Sequence, residues 1–230
     1  MPEQTAKSDD RLTQSNLRTP RAAAFAGIGF ALMSGASLIL VRLSFPENVA
    51  DPATWLADQA KTLSLAMSLI PFAGIAFLWF MGVVREQIGR LEDQFFSTLF
   101  FGTGYLFLGM TFIAAALAGG ALVLYASDPD LSTSSGILAL SLTVSNRINS
   151  VYAMRMAGTF MSVLGTIWLR TGVMPRWMAL ITYLLAMVLL VSIGFTLWVF
   201  LIFPAWVFVI SIAILISNDR LTPGQKGEDA

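Results

Sequence analysis

The stretch that decides the fold is WMALITYLLAMVLLVSIGFTLWVFLIFPAWVFVISIAILISN, residues 177–218, in which 42 consecutive positions carry no charge. A single helix of this length would be about 60 Å long, roughly twice the hydrocarbon thickness of a bilayer. The sequence therefore predicts two membrane spans, at about 177–196 and 200–217. Gly194 and Pro204 bracket the predicted turn between them.

Four further apolar runs precede this stretch and predict four more spans, at about 22–44, 62–84, within 95–126, and at 149–169. Each is long enough to cross about 30 Å of hydrocarbon at 1.5 Å per residue. Pro71 lies near the middle of the second span and predicts a kink there. The fold class is therefore all-α, a polytopic transmembrane helix bundle of about six spans, with five spans as the alternative.

Composition supports a membrane protein and excludes several chemistries. Of 230 residues, 56% are apolar and 12% are charged, against about 25% charged in soluble domains. The chain has no cysteine and no histidine, which excludes thiolate nucleophiles, bis-imidazole haem and Ser-His-Asp triads. No phosphate-binding glycine loop is present either. We therefore predict no enzyme activity and no cofactor. The 14 basic and 14 acidic residues leave no basic excess that would indicate nucleic acid as a partner.

The basic residues predict the orientation of the chain. Residues 1–21 and 219–230 are polar and are expected to form cytoplasmic tails, the first of them flexible, on either side of a bundle over 22–218. With six spans and a cytoplasmic amino terminus, ten basic residues lie inside and four outside. This distribution satisfies the positive-inside rule. Both termini are then cytoplasmic, whereas a five-span chain would end outside.

The longest predicted loop covers residues 127–148 and contains an apolar patch, GILALSLTV at 136–144. The patch is too short to span a bilayer. Three alternatives remain at this level: it lies flat on the membrane, folds back into it, or lengthens the next helix. The earlier polar segment 45–60 is also predicted as a loop, with a helix start at Asp51 and Pro52.

Three arginines fall on the predicted outer side. Arg42 ends the first span, Arg147 precedes the fourth, and Arg155 lies about six residues inside the fourth. A cation in that position costs several kcal/mol unless it reaches the surface or pairs. Because guanidinium binds phosphate and carboxylate through two parallel hydrogen bonds, the three predict a site for an anionic lipid headgroup or anionic solute. The alternative is ion pairing with acids predicted on the same side, namely Glu47, Asp51, Asp58, Asp128 and Asp130.

Small residues recur at helical spacing in two spans. The first span carries Ala23, Gly27, Ala31 and Gly35, and the fourth carries the weaker series Gly158, Ser162 and Thr166. Small residues let helix backbones approach closely where lipid provides no hydrophobic drive. They predict helix packing within the bundle, or else a homo-oligomer interface.

These features favour a non-catalytic integral membrane protein, an accessory or lipid-interacting subunit that has the bilayer, anionic lipid or another membrane protein as partner. The alternative is a small transporter or channel for an anionic or neutral solute, which requires a polar cavity that reaches the midplane between spans one, three and four. No Asp or Glu lies within a predicted span, which argues against a proton- or sodium-driven pump. A lipid-modifying enzyme using the outer acids is the weakest hypothesis, because no nucleophile–base pair is evident.

The segments YAMRMAGTFM at 152–161 and TIWLRTGVMPRW at 166–177 resemble a group of small multi-pass bacterial membrane proteins of unknown function. The likeness covers about a tenth of the chain, at the fourth span and the turn into the fifth. It implies a bacterial inner-membrane location and supplies no activity.

Overall fold

The computed structural model describes residues 3–44, 52–88, 94–128, 136–172, 174–191 and 197–219. Within these ranges the chain is helical almost throughout and contains no strand, which confirms the all-α prediction. The helices are α1 (Glu3–Ser44), α2 (Pro52–Ile88), α3 (Gln94–Ser127), α4 (Ile137–Arg147), α5 (Met154–Thr171), α6 (Arg176–Val191) and α7 (Ile202–Asp219). A π-helical segment (Ile148–Ala153) joins α4 to α5, and a 3₁₀ turn (Leu197–Leu201) precedes α7.

Four stretches of the described chain are long and apolar enough to cross a membrane: 24–44, 59–85, 94–127 and 198–216. They correspond to the first, second, third and sixth predicted spans. Helix α6 is apolar but has only 16 residues. The continuous helix formed by α4, the π-helical segment and α5 carries several arginines. Length and composition therefore establish four candidate spans rather than six.

The amino-terminal helix begins much earlier than the sequence predicts. Residues 3–21, predicted as part of a flexible tail, extend α1 to 42 residues. The physical reason is that an apolar helix already nucleated by the span can propagate into a polar segment that contains good helix formers. Helix α2 starts at Pro52, as predicted, so residues 52–60 of the predicted loop are helical, and the rest of that loop lies outside the described residues. It continues through Pro71 as one helix.

The apolar patch at 136–144 lengthens the next helix, which decides among the three alternatives. The chain becomes helical again at Ile137 and continues without a break through the π-helical segment to Thr171. The prediction of a loop reaching to residue 148 is therefore wrong. Leu138 is buried against Leu122 and Tyr125 of α3, so the patch forms the apolar side of a helix that packs on α3.

The division of residues 177–218 into two helices is confirmed, since α6 ends at Val191 and α7 begins at Ile202. Gly194 lies outside the described residues. Pro204 does not bracket the turn but lies in the first turn of α7, where it is buried. Proline is tolerated at that position because the first N–H groups of a helix have no acceptor within it.

A cluster of phenylalanine rings forms the centre of the bundle. Five helices contribute one ring each, and none of these side chains is more than slightly exposed: Phe30, Phe77, Phe107, Phe160 and Phe203. Ring centroids are 4.7 Å apart between Phe107 and Phe203 and 5.3 Å apart between Phe77 and Phe160. Such distances are typical of favourable edge and tilted ring contacts. Around this cluster α1 packs along α2 and α7, while α5 packs on α3 and α6.

Candidate functional site

A cavity of about 630 Å³ lies beside the phenylalanine cluster. Its walls come from α1, α2, α3 and the continuous helix of α4 and the π-helical segment, with residues around the start of α7 at one end. Phe30, Phe107 and Phe203 separate it from the centre of the bundle. The volume is within the range of about 300 to 1,000 Å³ that is typical of ligand pockets.

Most of the cavity wall is apolar. The side chains that α1, α2 and α3 contribute are mainly aliphatic, and they include Leu38, Val41, Leu63, Met67, Ile70, Leu108 and Leu122. A wall of this kind favours an apolar ligand or the apolar part of a larger one.

The hydroxyl groups in this apolar wall are already hydrogen-bonded to backbone carbonyls. Ser34 Oγ and Thr111 Oγ1 donate to carbonyls one turn earlier in their own helices, at 2.7 and 2.9 Å. Ser37 Oγ donates to the carbonyl of Ala66 in α2 at 2.8 Å, and Ser145 Oγ donates to a carbonyl of α3 at 2.7 Å. Because their protons are engaged, these groups add little polarity to the wall.

The remaining polar residues line one side of the cavity and have no such partners. We call this set the polar edge: Thr143, Asn146, Arg147, Asn149 and Ser150. Within the part of the chain that the structure describes, none of these five side chains makes a hydrogen bond or an ion pair. Asn146 and Arg147 are exposed, so the cavity reaches the protein surface at the polar edge.

The π-helical segment shapes this edge. Its wider turns are held by bonds such as the one from the Met154 N–H to the Asn149 carbonyl, five residues earlier. A wider turn places consecutive side chains closer together in angle than an α-helix does. Asn149, Ser150 and Val151 accordingly all line the cavity. Such segments often occur at functional sites.

Of the three predicted arginines, only Arg147 lines the cavity. Arg155, which is half-buried, donates from Nη1 to the Val151 carbonyl at 3.3 Å, one turn back along its helix. Arg42 lies in the last turn of α1. Among the acids proposed as ion-pair partners, Asp128 is exposed at the end of α3. The others, Glu47, Asp51, Asp130 and the side chain of Asp58, lie outside the described residues.

Two of the small residues in α1 lie inside the bundle. A Cβ at Gly27 would overlap Ser211 Oγ of α7 and lie 2.8 Å from the Phe80 ring of α2, and Ala31 is buried. Gly35 has nothing within 4 Å of a Cβ, and the side chain of Ala23 lies outside the description.

In α5, Gly158 faces α6. A Cβ at Gly158 would lie 3.0 Å from the Ala186 carbonyl oxygen, so α5 and α6 approach closely at this point. Ser162 Oγ donates to the carbonyl of Gly158 at 2.9 Å, within the same helix.

Sequence reasoning identified Arg147 but missed Asn146, Asn149 and Ser150. The sequence feature that could have indicated them is the polar run SNRINS at 145–150, which lies between two apolar segments. On polarity alone this run indicates the end of a loop. Among the described residues no three acidic side chains come together in a way that could hold a metal ion. Comparison of the chain with protein-family models, curated proteins and solved structures finds no match.

Proposed function

We propose that this chain is a non-catalytic, multi-pass protein of a bacterial inner membrane that binds an anionic amphiphile from the lipid phase. The observation that carries the proposal is the cavity, which combines an apolar wall with an arginine at its polar edge that has no partner among the described residues. An amphiphile has the same two parts. Its chain suits the apolar wall, and its headgroup supplies the negative charge that a cation near the hydrocarbon otherwise lacks.

Six spans remain our proposal for the topology. Helix α5 has 18 residues and α6 has 16, which correspond to about 27 and 24 Å and so approach the hydrocarbon thickness. If α5 crosses the hydrocarbon, α4 continues beyond it and Arg147 lies near the outer headgroups. The excess of basic residues on the other side then places both termini in the cytoplasm.

The proposal is tested by native mass spectrometry and lipid analysis of protein purified gently from its own membrane. We expect a bound amphiphile at fixed stoichiometry in the wild type. Arg147→Gln should lose most of it, whereas Arg176→Gln, which alters an exposed arginine outside the cavity, should retain it. Protein free of any bound amphiphile, together with no uptake of added lipid, would refute the proposal.

The position of the cavity favours a second candidate, a transporter. It lies between the first, third and fourth predicted spans, where the transporter hypothesis requires a polar cavity, but most of its wall is apolar and α2 forms a further wall. Its hydroxyl groups beyond the polar edge are engaged with carbonyls, which favours amphiphiles over hydrophilic solutes as cargo. Flux of a labelled anionic amphiphile across proteoliposomes, compared with liposomes that lack the protein, distinguishes transport from binding alone.

A further inference from the structure

We infer that the cavity selects an amphiphile with a single negative charge on its headgroup, a carboxylate or a phosphodiester, and accommodates one acyl chain. This inference rests on the proposed function and specifies its ligand. The acyl chain in the cavity belongs either to a free single-chain lipid or to a bilayer phospholipid. Both sources present the same chemistry to the cavity.

The charge of the wall decides the charge of the headgroup. Arg147 is the one charged residue among the described residues that line the cavity, and none of those residues is Asp or Glu. One guanidinium compensates one negative charge, and it matches the two oxygens of a carboxylate or phosphodiester in a fork geometry. The ammonium of a zwitterionic headgroup would find no carboxylate partner in this wall. The ammonium would therefore have to remain in water, where it would add nothing to the binding of the headgroup at Arg147.

The neutral members of the polar edge fit the rest of such a headgroup. Ser150 lies about one helical turn after Asn146 and Arg147, and all three residues line the cavity. Asn146 and Asn149 each offer both donors and an acceptor, and Ser150 offers a hydroxyl. Donors next to the guanidinium can complete the coordination of anionic oxygens, while the acceptors can bind the hydroxyls of a glycerol.

The size and position of the apolar wall limit the number of acyl chains that the cavity can hold. The wall extends from the polar edge to Phe30, Phe107 and Phe203, where the packed centre of the bundle begins. A volume of about 630 Å³ is that of a pocket for one drug-sized ligand. It suits one acyl chain, and a second chain would have to remain in the surrounding lipid.

The test measures binding of probes that share one chain length to delipidated full-length protein in an uncharged detergent. The probes are hexadecanoate, palmitoyl lysophosphatidylglycerol, palmitoyl lysophosphatidylcholine and hexadecanol. We expect the first two to bind at least about tenfold more tightly than hexadecanol, since charge-assisted hydrogen bonds form only with anionic oxygens. Palmitoyl lysophosphatidylcholine carries the same phosphodiester as palmitoyl lysophosphatidylglycerol, but its ammonium cancels the net charge and is not compensated by the wall, so we expect it to bind less tightly than palmitoyl lysophosphatidylglycerol. Equal affinities for all four would overturn the inference but leave the proposed function standing. Binding of none of them would contradict both.

A fifth probe, dipalmitoyl phosphatidylglycerol, separates the two sources. An affinity equal to that of the lysophospholipid supports the inference with a bilayer phospholipid as ligand. A weaker affinity supports it with a single-chain lipid as ligand.

Variants of Arg147 provide an independent readout. Arg147→Gln should lower the affinity for hexadecanoate about tenfold and leave the affinity for hexadecanol unchanged. Arg147→Lys should bind hexadecanoate with an affinity between those of the wild type and Arg147→Gln. The matched control is Arg176→Gln, for which no change is expected. Because Arg147 is exposed, these variants should fold, and their thermal unfolding checks this. Folded Arg147→Gln with wild-type affinity for hexadecanoate would overturn the inference.

Discussion

Trp206 Nε1 donates a hydrogen bond to Thr182 Oγ1 at 2.9 Å, and both side chains are buried. The bond connects α7 to α6, the two helices within the uncharged stretch 177–218. Neither group has water as an alternative partner in this position. The bond therefore connects two helices that make few other contacts with each other, since α6 packs mainly on α5 and α7 mainly on α1.

Replacing Thr182 with Val should destabilise the protein by about 1 to 3 kcal/mol, because the indole N–H of Trp206 loses its buried acceptor. Thermal unfolding in detergent measures the change. Trp206→Phe in the Thr182→Val background removes the unsatisfied donor, so the double variant should lose less than the two single losses combined. Additive losses would show that the bond does not couple the two helices. Tyr183→Phe, which removes a half-buried bond to Thr166, should cost less than Thr182→Val.

Gly27→Ala should destabilise the bundle, because the added methyl group overlaps Ser211 Oγ and crowds the Phe80 ring. Overpacking of this kind typically costs about 1 to 3 kcal/mol. Gly35→Ala is the matched control in the same helix, where nothing lies within 4 Å, and it should be neutral or slightly stabilising. Ser211→Ala should rescue part of the loss, since it removes a buried hydroxyl that has no partner among the described residues. Equal effects at Gly27 and Gly35 would contradict the close approach of α1 and α7.

Phe77 packs against five other rings and is fully buried, so Phe77→Ala should cost on the order of 2 to 4 kcal/mol. The loss comes from packing, because lipid is as apolar as the side chain that is removed. Phe72 lies in the same helix with 61% of its surface exposed, and Phe72→Ala should change stability by less than about 1 kcal/mol. Chemical denaturation of both variants in one detergent gives the comparison. A similar loss for both would mean that the phenylalanine cluster does not stabilise the bundle.

Deleting Ser150 should convert the π-helical segment to an ordinary α-helix while α4 and α5 keep their own contacts. We expect the protein to fold with modestly lower stability and to lose affinity for hexadecanoate, because the polar edge no longer has the same shape. Deletion of Thr159 in α5 is the control, since there is no wide turn to absorb it and the rest of the helix must rotate by about 100°. That variant should not fold. Retained affinity in folded protein lacking Ser150 would show that the wide turn plays no part in binding.

The sequence predicts the apolar elements of this fold well, since uncharged runs of sufficient length have few alternatives to helix in a bilayer. The two helices within 177–218 and the long third helix are examples. It fails where polar residues are helical, as at residues 3–21 and 145–150, because polarity alone does not separate a loop from a solvated helix. Arg147 was identifiable as a lone charge beside a span. The role of Asn149 and Ser150 depends on a wide turn that has no recognised sequence signature and could not be predicted.

The three phenylalanine rings that separate the cavity from the centre of the bundle have a thermodynamic consequence. An acyl chain that fills the cavity would touch Phe30, Phe107 and Phe203, whose rings pack against one another and connect α1, α3 and α7. Binding to the folded state alone is linked to unfolding, and ligand at one hundred times its Kd adds about 2.7 kcal/mol to the free energy of unfolding. The melting temperature is therefore an assay for occupancy, and it allows lipid libraries to be screened.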